Sequence, residues 1–481
     1  MEELDTLYPP DSDLDLSFTS CVSITTTTTA TLSARSSLAR SSLTLSFNDR
    51  LSCTSTTNTP SSEIPNFHHR AHRQHDSNWS AIKAATTLSS DGALHLHHLK
   101  LHRLVGSGNL GRVFLCRLRD YDHANFALKV IDRDSLTAKK LTHVQTEAEI
   151  LSSLDHPFLP TLYAHLEVSH YTCLLIDFCA NGDLHSLLRK QPGYRLPVES
   201  VRFYAAQVLI ALEYLHSLGI VYRDLKPENI LIREDGHIML SDFDLCFKSE
   251  VSPKLDFTTT RVQNEAKRRH SCYGDRLKEE TVTEFIAEPT SAFSRSCVGT
   301  HEYLAPELIS GAGHGNGVDW WAFGVLLYEL LYGTTPFKGK SKECTLRNIA
   351  SSKGVKFYID KNHGDDTEAR DLIEKLLVKD PRRRLGCARG ATDIKRHPFF
   401  AGIKWPLIRT YRPPEVRGIT IKRTKSNAHV MSHVCGVSST RRRRCLWKRL
   451  GYLMRIKGSK HNLNSNYNSY CHTNPKVRRC A

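Results

Sequence analysis

Tyr222-Arg223-Asp224-Leu225-Lys226-Pro227-Glu228-Asn229 is the most specific string in this chain, and thirteen residues past Asn229 comes Asp242-Phe243-Asp244. The first string holds a carboxylate, a lysine and an amide. The second adds another carboxylate. That order suits phosphoryl transfer. Asp224 orients an acceptor hydroxyl and takes its proton, and Lys226 stabilises the group in transit. Asn229 and Asp242 supply the hard oxygen ligands that Mg2+ requires.

Upstream, Gly106-Ser107-Gly108-Asn109-Leu110-Gly111 taken alone fits either a dinucleotide site or a chance turn. A dinucleotide fingerprint opens a helix and places an acidic residue about 20 positions on. Here Val113 and strand-like sequence follow, then Ala127-Leu128-Lys129. Glycines let backbone N–H groups approach phosphates closely, and Lys129 adds a point charge for them. The lysine needs an anionic partner, and Glu147 and Glu149 compete for the role. On the amphipathic helix read over residues 144–154, Glu147 shares a face with Val144, Ile150 and Leu151; Glu149 shares one with Gln145, Ser152 and Ser153. Glu147 is the inward one and is chosen.

Strand patterns dominate from about His97 to Ile131, and long helical patterns take over after Val198, notably over residues 201–218 and 320–331. A strand-rich part followed by a helix-rich part indicates two unequal lobes of α+β class. Residues 1–95 precede them. Ser and Thr make up 25 of the first 60 residues, so little apolar surface is available to offset chain entropy, and this segment reads as disordered. Residues 248–293, with eight basic and eight acidic side chains and no apolar periodicity, read as a mobile loop inserted in the second lobe. The fourteen cysteines include no Cys-x-x-Cys pair, which argues for reduced thiols rather than a disulfide framework or zinc site. No apolar run reaches the roughly 20 residues of a membrane span, and no secretory signal opens the chain.

Charge is segregated. Val416 to Ala481 contains sixteen Lys or Arg and no Asp or Glu, which equals the whole net charge of +16. A near-neutral body therefore carries a cationic tail, an arrangement suited to docking or addressing rather than to global nucleic-acid binding. Arg441–Arg444 precede Cys445-Leu446-Trp447-Lys448-Arg449-Leu450-Gly451-Tyr452-Leu453, a mixture of cations with Leu, Trp and Tyr that suits an interfacial helix on anionic lipid. Attachment to the cytoplasmic face of the plasma membrane is the favoured address, with a nuclear-import signal as the alternative and Lys267-Arg268-Arg269 as a supplement to either.

These strings resemble the eukaryotic protein kinase family over residues 96–400, with 96–180 as the small lobe, 181–400 as the large lobe and 401–481 as a C-terminal extension and basic tail. The resemblance implies ATP and Mg2+ as cofactors. It implies that Val105, Gly106, Ser107, Gly108, Gly111, Val113, Ala127, Lys129, Ile176, Asp177, Cys179, Asp183 and Leu231 line the ATP site, with Leu174 to Cys179 as hinge and Ile176 as gatekeeper. Ala305-Pro306-Glu307 resembles the end of an activation segment, and Arg384 matches the arginine that pairs with the Glu307 position. Lys226 two places after Asp224 is similar to serine/threonine kinases. Tyr222 in place of His, and Gly299-Thr300-His301-Glu302-Tyr303-Leu304, look like the AGC group.

Three features are similar to the plant AGC kinases of the PINOID and WAG subgroup, and nearest to the WAG type: the Asp242-Phe243-Asp244 ending, the insertion, and the Ser- and Thr-rich N-terminus. That resemblance implies protein substrates, PIN-type auxin efflux carriers among them, and a role in polar auxin transport. It implies an upstream kinase acting on Ser296, whose phosphate would pair with Arg223, with Ser294 as the alternative. Asp183, Glu228, Glu329 and Thr300 match positions that read the substrate, the carboxylates favouring basic residues. A monomer with no DNA partner is expected. Asp244 stands where a pivoting glycine is usual. A left-handed conformation there costs about 1–2 kcal/mol, and Asp244 is expected to restrict the inactive flip of Phe243.

Overall fold

Apolar alternation carries the chain through three antiparallel strands, β1 (Leu99–Ser107), β2 (Arg112–Leu118) and β3 (Tyr121–Asp132), and then, after a helix, through β4 (Leu162–Val168) and β5 (Tyr171–Asp177). The computed structural model describes His72 and residues 76–119, 121–261, 279–357 and 366–421 of the 481. The expectations placed on residues 1–71, on Lys267-Arg268-Arg269 and on the basic tail from Lys422 lie outside the described residues. The five strands form one sheet in the order β1-β2-β3-β5-β4.

The sheet has two apolar faces, and each has its own cover. Before β1 lies α1 (Ser77–Thr87), and between β3 and β4 lies α2 (Ala138–Ser153). Val144, Ala148 and Leu151 of α2 join Ile131, Leu162 and Leu174 in the larger core. On the other face, Trp79, Ile82 and Ala85 of α1 pack with Cys116, Phe126, Leu128, Cys173 and Leu175. The Trp79 ring lies 4.9 Å from that of Tyr163. Asp76 caps α1 by accepting from the Asn78 N–H at 2.9 Å.

Residues Ser77–Thr87, inside the segment whose composition implied disorder, form a helix. Apolar residues at helical spacing answer an otherwise bare sheet face. Burial of a side chain such as Ile82 contributes roughly 1.5–3 kcal/mol.

The second lobe is helical: α3 (Leu184–Arg189), α4 (Val198–Ser217), α5 (Pro306–Ser310), α6 (Gly317–Tyr332), α7 (Lys342–Ala350), α8 (Thr367–Leu376) and α9 (Ala391–Lys395). Helix α6 is apolar on nearly all sides, as a central helix must be, and Trp320, Trp321 and Phe323 are completely buried. It stops at Gly333, whose φ of 75° closes the helix in a left-handed cap. Short strands β6 (Ile220–Val221), β7 (Ile230–Ile232), β8 (Ile238–Leu240) and β9 (Phe247–Lys248) pair as β6 with β9 and β7 with β8. This two-lobed α+β arrangement matches the sequence reading.

The insertion does not remain a loop. Strands β10 (Lys254–Arg261) and β11 (Glu279–Ile286) pair antiparallel from Lys254↔Ile286 to Arg261↔Glu279. Thr258-Thr259-Thr260 facing Thr281-Val282-Thr283 are β-branched residues suited to strands. Past Phe400 the chain runs back along the large lobe. Arg409 bonds Asp235 at 2.5 Å, Gln191 donates to the Arg417 carbonyl at 2.8 Å, and the Thr420 N–H donates to Asn181 at 3.2 Å.

Candidate active site

The twelve residues between Asn229 and Asp242 fold as the β7–β8 hairpin. Ile230 pairs with Leu240, so the next residues outward meet: the Ser241 N–H donates to the Asn229 carbonyl at 2.9 Å. Both sequence-chosen metal side chains therefore stand at one end of a two-stranded unit. The Asn229 amide nitrogen donates to Asp224 O and Oδ2, each at 2.9 Å. Its side-chain oxygen is left as a ligand for a hard cation, alongside Asp242. This donor set fits the divalent ion implied by the sequence.

Asp224 sits in a closed polar ring. Lys226 Nζ donates to Asp224 Oδ2 at 2.8 Å and to Thr300 Oγ1 at 3.0 Å, and Thr300 Oγ1 donates to Asp224 Oδ1 at 3.2 Å. Asp224, Lys226 and Asn229 are all buried. Burial raises the Asp224 carboxyl above its ordinary range, against the pull of the Lys226 charge. Thr300, read from sequence as facing substrate, thus bridges the lysine and the aspartate.

Lys129 and Glu147 meet as chosen. Lys129 Nζ lies 2.7 and 2.6 Å from the two Glu147 oxygens and 3.4 Å from Asp242 Oδ1. Burial would lower the lysine, but the carboxylates of Glu147, Asp242 and Asp244 more than reverse this and keep it charged. Register explains the reach: Lys129 on β3 pairs with Val113 on β2 and Leu174 on β5, placing it mid-sheet above α2.

The residues expected on the nucleotide side lie on and between β1, β2, β3, β5 and β7. The glycine turn after β1 is closed by the Gly108 N–H donating to the Gly111 carbonyl at 2.9 Å. A Cβ on Gly106 or Gly108 would meet no atom within 4 Å, whereas one on Gly111 would lie 2.3 Å from the Val130 carbonyl. The first two glycines border open space for a ligand, and the third permits close packing on β3. Ala127 pairs with Ile176 across β3 and β5. The Asp177 carboxylate is buried and accepts from the Thr161 N–H at 2.9 Å and from Tyr163 Oη at 3.0 Å. Cys179 Sγ lies 3.7 Å from Met239 Sδ, and Leu231 pairs with Met239 across β7 and β8. Val105 and Ser107 sit near the end of β1.

On the substrate side each candidate carboxylate has an internal partner. Asp183 caps α3 through the Ser186 N–H at 2.6 Å. Glu228 lies 3.1 Å from His185 Nδ1, and Glu329 accepts from Tyr303 Oη at 2.5 Å.

The helical pattern read over residues 320–331 places Asp319 just ahead of a long helix. The larger part played by Asp319 was missed. Completely buried in the first turn of α6, Asp319 accepts the Tyr222 N–H at 2.8 Å on Oδ2 and the Arg223 N–H at 2.7 Å on Oδ1. The catalytic loop hangs from this carboxylate. A lone acid opening an otherwise apolar helix was the available signal. Glu307 and Arg384 pair as expected, with contacts of 2.6 and 2.9 Å.

One expectation changes. Positive φ falls on Arg223 (68°) and Asp242 (61°) and not on Asp244, so the backbone cost placed on Asp244 belongs to its neighbour, the metal-facing aspartate. Asp244 is buried, and burial together with Asp242 pushes its carboxyl well above the usual range. In the unmodified chain Arg223 Nη1 reaches Ser294 Oγ at 3.3 Å, while Ser296 lies exposed two residues on.

Comparison with known proteins agrees with this geometry. A family described as protein kinase domain matches residues 99–265 and 282–400. The chain is 65% identical to the serine/threonine-protein kinase WAG2 of Arabidopsis thaliana, over 98% of each chain. It is 62% identical to WAG1 of the same plant, over 98% of this chain and 99% of the relative. With the protein kinase PINOID of Oryza sativa subsp. japonica it shares 50% identity over 73% of this chain and 75% of the relative.

Proposed function

The chain belongs to the protein kinase family, as a serine/threonine kinase of the plant group that holds the WAG and PINOID kinases, and on that premise we propose that it phosphorylates PIN-type auxin efflux carriers with Mg2+ as its metal. The observation that carries the catalytic part is the closed ring of Asp224, Lys226, Thr300 and Asn229 beside Asp242. Asp242 and the Asn229 oxygen would hold the metal, which, when bound, neutralises charge on the ATP phosphates. Lys129, fixed by Glu147, would hold the phosphates. Asp224 orients a Ser or Thr hydroxyl and accepts its proton, while Lys226 keeps positive charge at the transferring group. The adenine would lie between Val113, Ala127 and Leu231, beside the hinge from Leu174 to Cys179.

Similarity to WAG2 over 98% of this chain, well beyond the catalytic lobes, supports the carrier as substrate class. Glu228 and Glu329 support a preference for basic residues near the target. The cationic tail supports attachment to anionic lipid at the cytoplasmic face of the plasma membrane, and Ser296 is the proposed target of an upstream kinase. The kinase acts as a monomer in this reading. The test is phosphate transfer from labelled ATP to Ser, Thr and Tyr peptide arrays and to the cytosolic segment of a PIN-type carrier. Labelling of Ser and Thr in basic contexts and of the carrier is expected. A labelled array beside an unlabelled carrier overturns the substrate proposal alone.

A further inference from the structure

The catalytic loop hangs from Asp319, and Asp319 is itself held from behind. His216, the penultimate residue of α4, is completely buried; its Nε2 lies 2.9 Å from Asp319 Oδ2 and its Nδ1 lies 2.8 Å from Glu288 Oε2. Glu288 stands two residues past β11, at the C-terminal root of the insertion, and is buried. Asn316 Nδ2 donates to the same Glu288 oxygen at 2.7 Å, and the Ala391 N–H donates to Oε1 at 3.4 Å. A Cβ on Gly390 would lie 1.6 Å from Glu288 Oε1, so only glycine leaves room for this carboxylate. Carboxylates only accept hydrogen bonds, so an imidazole flanked by two of them carries a proton on each nitrogen. The root is further tied down where Arg389 meets Asp256 at 2.9 Å and Glu284 at 2.5 Å, and Arg396 meets Glu284 at 2.6 Å.

We propose that Glu288 is a positioning residue for phosphoryl transfer: it clamps His216 onto Asp319, which keeps both Asp319 oxygens on the Tyr222 and Arg223 amides and so aims Asp224. The root of the insertion is thereby part of the transfer machinery. Without Glu288, His216 faces one carboxylate, Asp319 gains freedom to turn, and the loop amides lose a fixed acceptor. The charged groups facing His216 are Glu288 from the insertion and Asp319 from α6; the Asn316 amide and the Trp320 ring, 4.7 Å away, carry no charge.

This inference rests on the kinase reading, and its test separates the two. Full-length wild type, Glu288→Gln, Glu288→Asp, His216→Gln and the Glu288→Gln/His216→Gln double variant are assayed from pH 6.5 to 9.5. ATP and a basic serine peptide are the substrates, and thermal melting is recorded for each protein. Glu288→Gln is expected to lower kcat about tenfold while KM for ATP stays within about twofold, since misplaced groups cost rate before binding. Its kcat should also fall further as pH rises, a slope absent in wild type and in Glu288→Asp. The double variant should lose no more than His216→Gln alone, because the two act in one line. A Glu288→Gln enzyme with wild-type kcat at every pH overturns the proposal, as does a double variant whose losses multiply. If Glu288→Gln melts below the assay temperature, the Glu288→Asp profile and His216→Gln decide: a pH slope in Glu288→Asp, or wild-type kcat in His216→Gln, overturns it. An inactive wild type would instead overturn the kinase reading.

Discussion

The catalytic loop and the insertion are both polar stretches set among apolar elements, yet they are built in opposite ways. In the loop, Asp224 finds Lys226 two residues away and Asn229 five residues away. In the insertion, Glu288 finds His216 at a separation of 72 residues, and Glu284 finds Arg396 at 112. The loop's own catalytic side chains are written in one string, although Thr300 and Asp319 brace it from far along the chain. The insertion root is a long-range constellation, whose charges acquire meaning only when distant elements converge. Buried polar groups demand partners in either case, and only the distance to those partners differs.

The sharpest way to break this contrast is in the loop. Asp224→Asn should reduce phosphate transfer by roughly 10²–10⁴-fold, the range for loss of a general base, without lowering the melting temperature. Next in size is the buried ion pair that ties α5 to the end of the large lobe. Arg384→Ala strands Glu307 and should cost about 3–5 kcal/mol of stability, read by chemical denaturation. If Arg384→Ala melts like wild type, long-range pairs in this lobe count for less than the contrast claims. Arg389→Ala, which removes the partly exposed partner of Asp256 and Glu284 in the β10–β11 stem, should cost about 1 kcal/mol or less and change kcat little. A large loss there would make the stem, and not the Glu288 root, the critical connection.

The elements that were legible are those with local patterns. The strands from Leu99 to Asp132, the helix carrying Glu147 and the loop with Asn229 follow from periodicity and spacing over a few residues. Helix α1 was hidden because its apolar residues Trp79, Ile82 and Ala85 follow a Ser- and Thr-rich segment, and only the bare sheet face reveals why they order. The β10–β11 hairpin was hidden because the run Thr258-Thr259-Thr260 and the charged pair Glu279-Glu280 interrupt the apolar alternation of its strands. Asp256 and Glu284 of the hairpin are spent on Arg389. Asp319 stood in plain view, but its bonds to two backbone N–H groups nearly a hundred residues earlier leave no periodic trace.

Two buried histidines give the contrast a pH signature. His216, raised to about 10 by its two carboxylates against burial, stabilises the fold fully below its unfolded value near 6.5. It loses that contribution as pH climbs from about 6.5 to about 10. His314 is buried as a neutral ring and lowered to about 4, first by burial and then by Arg223. Its contribution is present above about 6.5 and is lost as pH falls toward about 4. Thermal melting across pH 4–10 should therefore peak near neutrality. His216→Gln should flatten the alkaline side and leave the acid side in place. The smallest expected effect is at Asp244: with its φ outside the left-handed region, Asp244→Ala should fold normally and change kcat by less than about tenfold, in steady-state assay.

The most direct measurement compares nucleotide affinity with transfer in Asp224→Asn and Asp242→Asn, by calorimetric titration of ATP with and without Mg2+ beside a labelled-phosphate assay. Asp224→Asn should bind the metal nucleotide within about threefold of wild type while transfer all but vanishes; Asp242→Asn should lose the Mg2+-dependent part of affinity and transfer together. Near-normal transfer by Asp224→Asn, or undiminished Mg2+-dependent binding by Asp242→Asn, would contradict the division of labour between the acceptor-facing Asp224 and the metal-facing Asp242.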